Sequence, residues 1–309
     1  NIDEIYTADD NNKKIKNGFI LIKDNVIKKL GDNKKLKSLN IEQSELDTVI
    51  DGNNTMALPG FINTHTHAAM TLLRGYADDL PLDKWLQEKI WPFESKLTEE
   101  GIYLGSLLAV IEMIKTGTTT FTDMYFQMHQ VAEVVEKSGI RAVLSQGLIE
   151  KNDGIDGLKQ ARDFCEEWQN EANGRITTML APHAPYTCSP DYLKKVLEIS
   201  REIDIPINIH LAETKKEVNI IKEKYETTPV KLLYNTGILN RPTLTAHSVH
   251  VNKSDLNILT ETNTGVAYNP SSNMKLGSGI APVKEMINNG INVGIGTDGV
   301  ASNNNLDMI

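Results

Sequence analysis

Pro59-Gly60-Phe61-Ile62-Asn63-Thr64-His65-Thr66-His67 is the stretch that decides the reading: an apolar run that ends in His-x-His. Alternation along a strand sends both imidazoles to one face. In a parallel barrel the strand ends open on the C-terminal rim, and two imidazoles there can ligate one divalent metal. A bare His-x-His is a weak signal, so the case depends on what the rest of the chain adds to that rim.

Downstream, short apolar runs alternate with helical stretches from Leu58 onward, the signature of βα units. Eight runs read as strands, near 60–66, 118–123, 140–147, 176–183, 205–211, 242–248, 264–268 and 291–297. Eight parallel strands predict an α/β fold, a (β/α)₈ TIM-type barrel over residues 58–309. The clearest helix is Thr98 to Lys115, with Thr98 as N-cap, Glu99 and Glu100 in the first turn and Gly117 past its end. Upstream, residues 1–57 hold short β-like runs such as Gly18–Ile22 and Thr48–Ile50 between Asn/Asp/Gly turns, which predicts a small antiparallel sheet, a partial domain. The chain reaches Ile309 soon after the eighth strand, so a C-terminal part, with a closing helix and a partner for the small sheet, is expected to be missing.

A length of 309 residues suits one such barrel with an appendage, since barrels of this kind run to about 250 residues. With 40% hydrophobic and 24% charged residues the chain is of the ordinary globular type. The formal net charge of −9 argues against a nucleic-acid or anionic membrane partner and for a small neutral or zwitterionic substrate. The lysines Lys28, Lys29, Lys34, Lys35 and Lys37 read as a solvated strand edge. Cys165 and Cys188 are too few for a disulfide framework and read as free thiols. No signal-peptide core and no run of about 18 apolar residues is visible, so a cytoplasmic protein is expected, with a few residues missing before Asn1. The composition leaves the oligomeric state open.

Further candidate ligands recur at strand ends. His210 ends Ile207-Asn208-Ile209-His210, with Glu213 three residues on, and Gly296-Thr297-Asp298-Gly299 ends the eighth strand with an acid. His183 and His247 fall at the ends of the fourth and sixth strands, with His250 close by, and His129 reads as a surface residue at a helix start. Singly, each has an ordinary structural reading; structural histidines scattered at random would not gather on one rim.

These residues resemble the amidohydrolase superfamily and, within it, the 5-methylthioadenosine/S-adenosylhomocysteine deaminases. The resemblance runs over nearly the whole chain. It rests on the 59–67 motif, Met70-Thr71-Leu72-Leu73-Arg74-Gly75, the stretch from Trp85-Leu86 to Trp91-Pro92-Phe93-Glu94, His210-Leu211-Ala212-Glu213, Thr245-Ala246-His247-Ser248-Val249-His250, and Gly296-Thr297-Asp298-Gly299 with Ser302-Asn303-Asn304. It implies one Zn²⁺, with Fe²⁺ as the alternative, on His65, His67, His210 and Asp298. It also implies proton handling by Glu213, His247 and Asp298, a ribose contact from Glu94 and a substrate contact from His183. The dinuclear members carry a modified Lys at the end of strand four; here that strand ends Ala181-Pro182-His183, so one metal is expected. The unrelated zinc deaminases need His-x-Glu and Pro-Cys-x-x-Cys, which the two cysteines cannot supply.

The activity so implied is hydrolytic deamination of a small adenosine-type nucleoside, namely 5-methylthioadenosine, S-adenosylhomocysteine or adenosine. Homologues that take S-adenosylhomocysteine are expected to carry arginines near strands three and four; Gln146-Gly147-Leu148-Ile149-Glu150-Lys151 offers none, which favours the shorter substrates. The competing readings are a deaminase or chlorohydrolase of another heterocycle (guanine, cytosine, a triazine) and a non-catalytic scaffold. Trp85 and Trp91 read equally as a wall over the purine or as core; Met70 and Phe93 read as packing.

Overall fold

The computed structural model describes residues 1–41, 44 and 46–309, and Lys37 without its side chain, so that part of the lysine run lies outside the described residues. Two compact units divide the chain, Asn1–Gly60 and Phe61–Ile309.

In the first unit β1 (Ile2–Tyr6), β2 (Lys14–Lys23) and β3 (Val26–Asp32) pair antiparallel in sequence, and β4 (Gly52–Ala57) joins β1. The turn Asp24-Asn25 joins β2 to β3, with Asp24 at φ +57°. The β1–β4 pair is parallel, so the sheet is mixed and not wholly antiparallel as the sequence suggests. A tight turn would force reversal; the long connection between β3 and β4 leaves β4 free to run with β1. Ile5, Ile15 and Phe19 form its buried apolar set. The edge strand β3 keeps Lys28 and Lys29 exposed, as does the following turn of helix Lys34 and Lys35.

The second unit is an eight-stranded parallel barrel: β5 (Phe61–Thr66), β6 (Thr118–Tyr125), β7 (Arg141–Leu148), β8 (Ile176–Pro182), β9 (Ile207–Leu211), β10 (Thr243–His247), β11 (Gly265–Tyr268) and β12 (Val293–Ile295). Each strand is bonded to its sequence neighbour. Helices ring the outside of the barrel and side chains fill its inside, so central strands are buried on both sides and read as apolar runs; all five residues of β9 are buried. Phe121, Leu144, Leu180, Ile209 and Val266 sit fully buried in the core. The helix Glu99–Lys115 starts where Thr98 Oγ1 accepts from the Gly101 N–H at 3.1 Å and stops before Gly117, whose φ of +88° a side chain would resist.

The first and eighth strands close the barrel. Asp298 N donates to His65 O at 2.9 Å. Thr297 N donates to Asn63 Oδ1 at 3.0 Å, and Asn63 Nδ2 donates to Thr297 Oγ1 at 2.7 Å. Gly296 permits this approach, since a Cβ there would collide with Asn269 Oδ1 and the His65 backbone. Among the described residues, no helix is long and apolar enough to cross a membrane.

Candidate metal centre and active-site cavity

Barrel closure brings the strand-end residues together. The ligating atoms of His65, His210 and His247 lie within 4.8 Å of one another, and so do those of His65, His67 and Asp298. His67 Nε2 is 3.2 Å and His65 Nε2 3.7 Å from Asp298 Oδ1. Ring centroids are 4.9 Å apart for His65 with His67 and with His210, and 5.5 Å for His210 with His247. The four residues read from the sequence as ligands thus form one cluster, joined by His247.

Hydrogen bonds orient these rings. His67 Nδ1 lies 2.5 Å from Met124 O and His210 Nδ1 2.8 Å from His183 O. A carbonyl only accepts, so each Nδ1 carries the hydrogen and each Nε2 presents its lone pair to the centre. His65 is fully buried, and both its ring nitrogens lack a partner. Burial, with the field of His67, holds its pKa well below the ordinary imidazole value; burial, with the field of His183, does the same for His210. Neutral imidazoles with unspent lone pairs beside a carboxylate suit a divalent metal of the zinc type.

Asp298 follows β12 at φ +61° and accepts from Ser272 Oγ at 2.6 Å and from Gly299 N at 2.8 Å. Burial alone would raise its pKa; the facing His67, His247 and His65 and the Ser272 hydroxyl outweigh it and hold the carboxyl below its usual range. Glu213 behaves oppositely. Burial, reinforced by Asp298, pushes it up to about 8, with the Ser278 hydroxyl 3.3 Å away. His247 Nε2 stands between them, 3.8 Å from Glu213 Oε2 and 4.0 Å from Asp298 Oδ2, and burial lowers its pKa to about 4.

A cavity of about 430 Å³ opens over this cluster and is lined by His67, His183, His210, Glu213, His247 and Asp298 on its floor. Glu94, Trp85, Trp91 and Met70 also line it. Glu94 is drawn into the protein: Tyr125 OH donates to its Oε1 at 2.6 Å, and burial raises its pKa. Trp85 is buried with Nε1 bonded to Ala77 O at 3.1 Å, so it is at once core and wall, whereas Trp91 is partly exposed. Phe93 packs on Tyr76, ring centroids 5.1 Å apart. His183 Nδ1 lies 3.0 Å from Thr187 Oγ1 and its pKa falls to about 4 through burial. Among the described residues lining the cavity there is no lysine or arginine. His250 lies outside the cluster, with Nε2 2.7 Å from Ser278 O, and His129 is exposed at a helix start. Cys165 and Cys188 are buried and free.

Sequence reasoning gave no role to Asn63, Tyr125, Asp123 or Glu217. Asp123 accepts from Thr66 Oγ1 at 2.8 Å and Ala68 N at 2.7 Å, which fixes the backbone on both sides of His67. Its partners become visible only once β5 and β6 are paired. Glu217 has a local signal, the capping-box spacing Thr214-x-x-Glu217.

A model of the amidohydrolase family matches residues 56–309. The chain belongs to the amidohydrolase family. It is 60% identical, over its whole length and 71% of the relative, to a 5-methylthioadenosine/S-adenosylhomocysteine deaminase of Halothermothrix orenii. Over 94% of the chain and 66% of the relative it is 54% identical to the protein of the same name from Carboxydothermus hydrogenoformans. The chain is also similar to a crystal structure of an adenosine deaminase from Xanthomonas campestris with bound zinc: TM-score 0.87, 29% identity, 99% of this chain and 70% of that one. The chain therefore spans about 70% of the length of these proteins.

Proposed function

We propose that this chain is a single-metal aminohydrolase that removes the 6-amino group of an adenosine-type nucleoside to leave the inosine analogue and ammonia. In this reading residues 58–309 are the catalytic barrel, residues 1–57 a small sheet domain, and His65, His67, His210 and Asp298 hold one Zn²⁺. Bound there, zinc makes a water acidic enough to serve as nucleophile near neutral pH. Asp298 and His247, 4.0 Å apart on the cavity floor, would take up the proton that the attacking water sheds and pass it to the departing amino group, which leaves as ammonia. Glu213, protonated near neutrality, donates to the ring nitrogen beside C6, so that negative charge does not accumulate as water adds; general acid-base help of this kind supplies about two to four powers of ten. Glu94 accepts from the ribose hydroxyls, and His183 contacts the substrate.

The observation that carries the reading is the pair Glu213 and Asp298. Two buried carboxyls share one cavity with His247 Nε2 between them, 3.8 Å from Glu213 and 4.0 Å from Asp298, and burial pushes Glu213 up to about 8, as a proton donor near neutrality requires. The deaminase names of the relatives at 54–60% identity support the reaction class. The lining favours a nucleoside with an uncharged 5′ substituent: among the described residues that line the cavity there is no lysine or arginine to receive a carboxylate, so 5′-methylthioadenosine fits better than S-adenosylhomocysteine. The acidic net charge suits such a substrate better than a nucleic acid.

The test is deamination of 5′-methylthioadenosine by zinc-loaded protein, followed by loss of adenine absorbance and by ammonia release. S-Adenosylhomocysteine, adenosine, guanine and cytosine are run in parallel. Turnover of the nucleosides, lost on chelation and restored by zinc, is expected; turnover of free bases alone would overturn the nucleoside assignment.

A further inference from the structure

The turn that presents Glu213 is an awkward one. Ala212, directly before it, sits at φ +48°, a left-handed conformation that a residue with a Cβ adopts at a cost. Both N–H groups of this turn end on one side chain: Glu217 Oε1 accepts from Ala212 N at 2.8 Å and Oε2 from Glu213 N at 2.9 Å. Glu217 is 3% exposed, in the first turn of the helix Lys215–Tyr225, and its own N–H donates to Thr214 Oγ1 at 3.1 Å. An ordinary capping box returns the glutamate to the N-cap N–H. Here the carboxylate reaches one and two residues further upstream, past the cap and into the strand end. No lysine or arginine pairs with Glu217 among the described residues, so those two amides are its main compensation for burial.

We infer that Glu217 is a positioning residue: it clamps the left-handed turn at Ala212–Glu213 and so fixes the direction in which Glu213 delivers its proton. The inference rests on the reading of Glu213 given above. Glutamine at 217 keeps one acceptor but sets an amide NH₂ against the other N–H, so the turn loses a bond and gains a clash of donors. Misplacement of a catalytic group by about 1 Å costs roughly a hundredfold in rate.

The experiment compares wild type, Glu217→Gln, Glu213→Gln, the double variant and Thr214→Ala on 5′-methylthioadenosine, with zinc stoichiometry measured for each. We expect Glu217→Gln to lose about ten- to a hundredfold in kcat with KM and zinc content unchanged. In the Glu213→Gln background it should cost nothing further, because it acts through Glu213. Thr214→Ala removes the bond to the Glu217 N–H but leaves both bonds from the Glu217 carboxylate, and should keep kcat. Unchanged kcat in Glu217→Gln, an equal loss in the Glu213→Gln background, or the same loss in Thr214→Ala would overturn the inference and leave the deaminase reading standing. A wild type inactive on nucleosides, or full activity in Glu213→Gln, would overturn both. If Glu217→Gln does not fold, the series is repeated in the Ala212→Gly background, where the turn costs less.

Discussion

Replacing Asn63 with alanine would cut the side-chain bridge between the first and eighth barrel strands. Asn63 is fully buried and two residues before His65, and its partner Thr297 adjoins Asp298. The Thr297 N–H would be left buried without an acceptor, about 1–3 kcal/mol. Thr297 Oγ1 keeps its own donation to Asp298 O at 3.0 Å, so losing the Asn63 donor adds little. The void left by the amide adds about 1 kcal/mol, for roughly 2–4 kcal/mol in all. For 309 residues at about 2.1 cal/mol/K each, that lowers the melting temperature by roughly 3–6 °C. Zinc affinity should fall further than a remote change of equal cost would make it, by about ten- to a hundredfold, because the bridge presets the spacing of two ligands. Thermal melts in chelator separate the first effect from the second, which a competition titration against a chromophoric chelator measures. A melting temperature lowered as expected with zinc affinity untouched would refute the claim that barrel closure presets the ligand geometry.

Tyr125→Phe should raise KM for ribonucleosides about tenfold, the worth of one bond to a charged acceptor, and leave KM for a 2′,3′-dideoxy substrate unmoved; equal effects on both would detach Tyr125 from ribose recognition. Metal-free protein should lose stability as pH rises from 6.5 toward 8. Glu213 (about 8 when folded, ordinary value 4.5) holds over that window a proton that the unfolded chain has lost, which costs on the order of 1.4 kcal/mol per pH unit. Urea midpoints between pH 6.5 and 8 in chelator, with Glu213→Gln as the reference, measure it; a slope equally steep in the variant would contradict the assignment to Glu213.

The barrel strands were legible because each carries an apolar run, plainest where both faces are buried as in β8 and β9, and all eight lie where those runs do. His65 and His67 were legible because a period of two is written into His-x-His. The direction of β4 was not, because nothing in Gly52–Ala57 says which edge or sense it takes; that depends on where the long connection returns. Asn63 stood in the most informative stretch of the sequence without a role, because its partner is 234 residues away. Asp123 read as one polar residue in a strand, yet it ties down both neighbours of His67 from the next strand. Residues that bear chemistry announce themselves by type; residues that aim them are ordinary in type and depend on tertiary pairing.

Backbone conformation carries the same distinction further. Ala212, His247, Ser248 and Asp298 have φ of +48°, +73°, +47° and +61°, and all four lie at the ends of β9, β10 and β12, where the cluster is built. Glycine would adopt these angles most easily, but at His247 and Asp298 it would remove the chemistry, so the side chain and the unfavourable turn must coexist. Such turns, on the order of 1 kcal/mol or more each, persist only where neighbours over-determine them. The neighbours are visible: His250 N on Ala212 O at 2.9 Å, Ser248 N on Leu211 O at 2.9 Å, Asp298 N on His65 O at 2.9 Å, and the two oxygens of Glu217. Each of these bonds joins the end of one strand to an adjacent strand or helix, so the geometry of the centre is a property of the closed barrel. A strand displaced at one point of the rim would relax the turn beside it and misdirect a proton-transferring group even with every cluster residue retained.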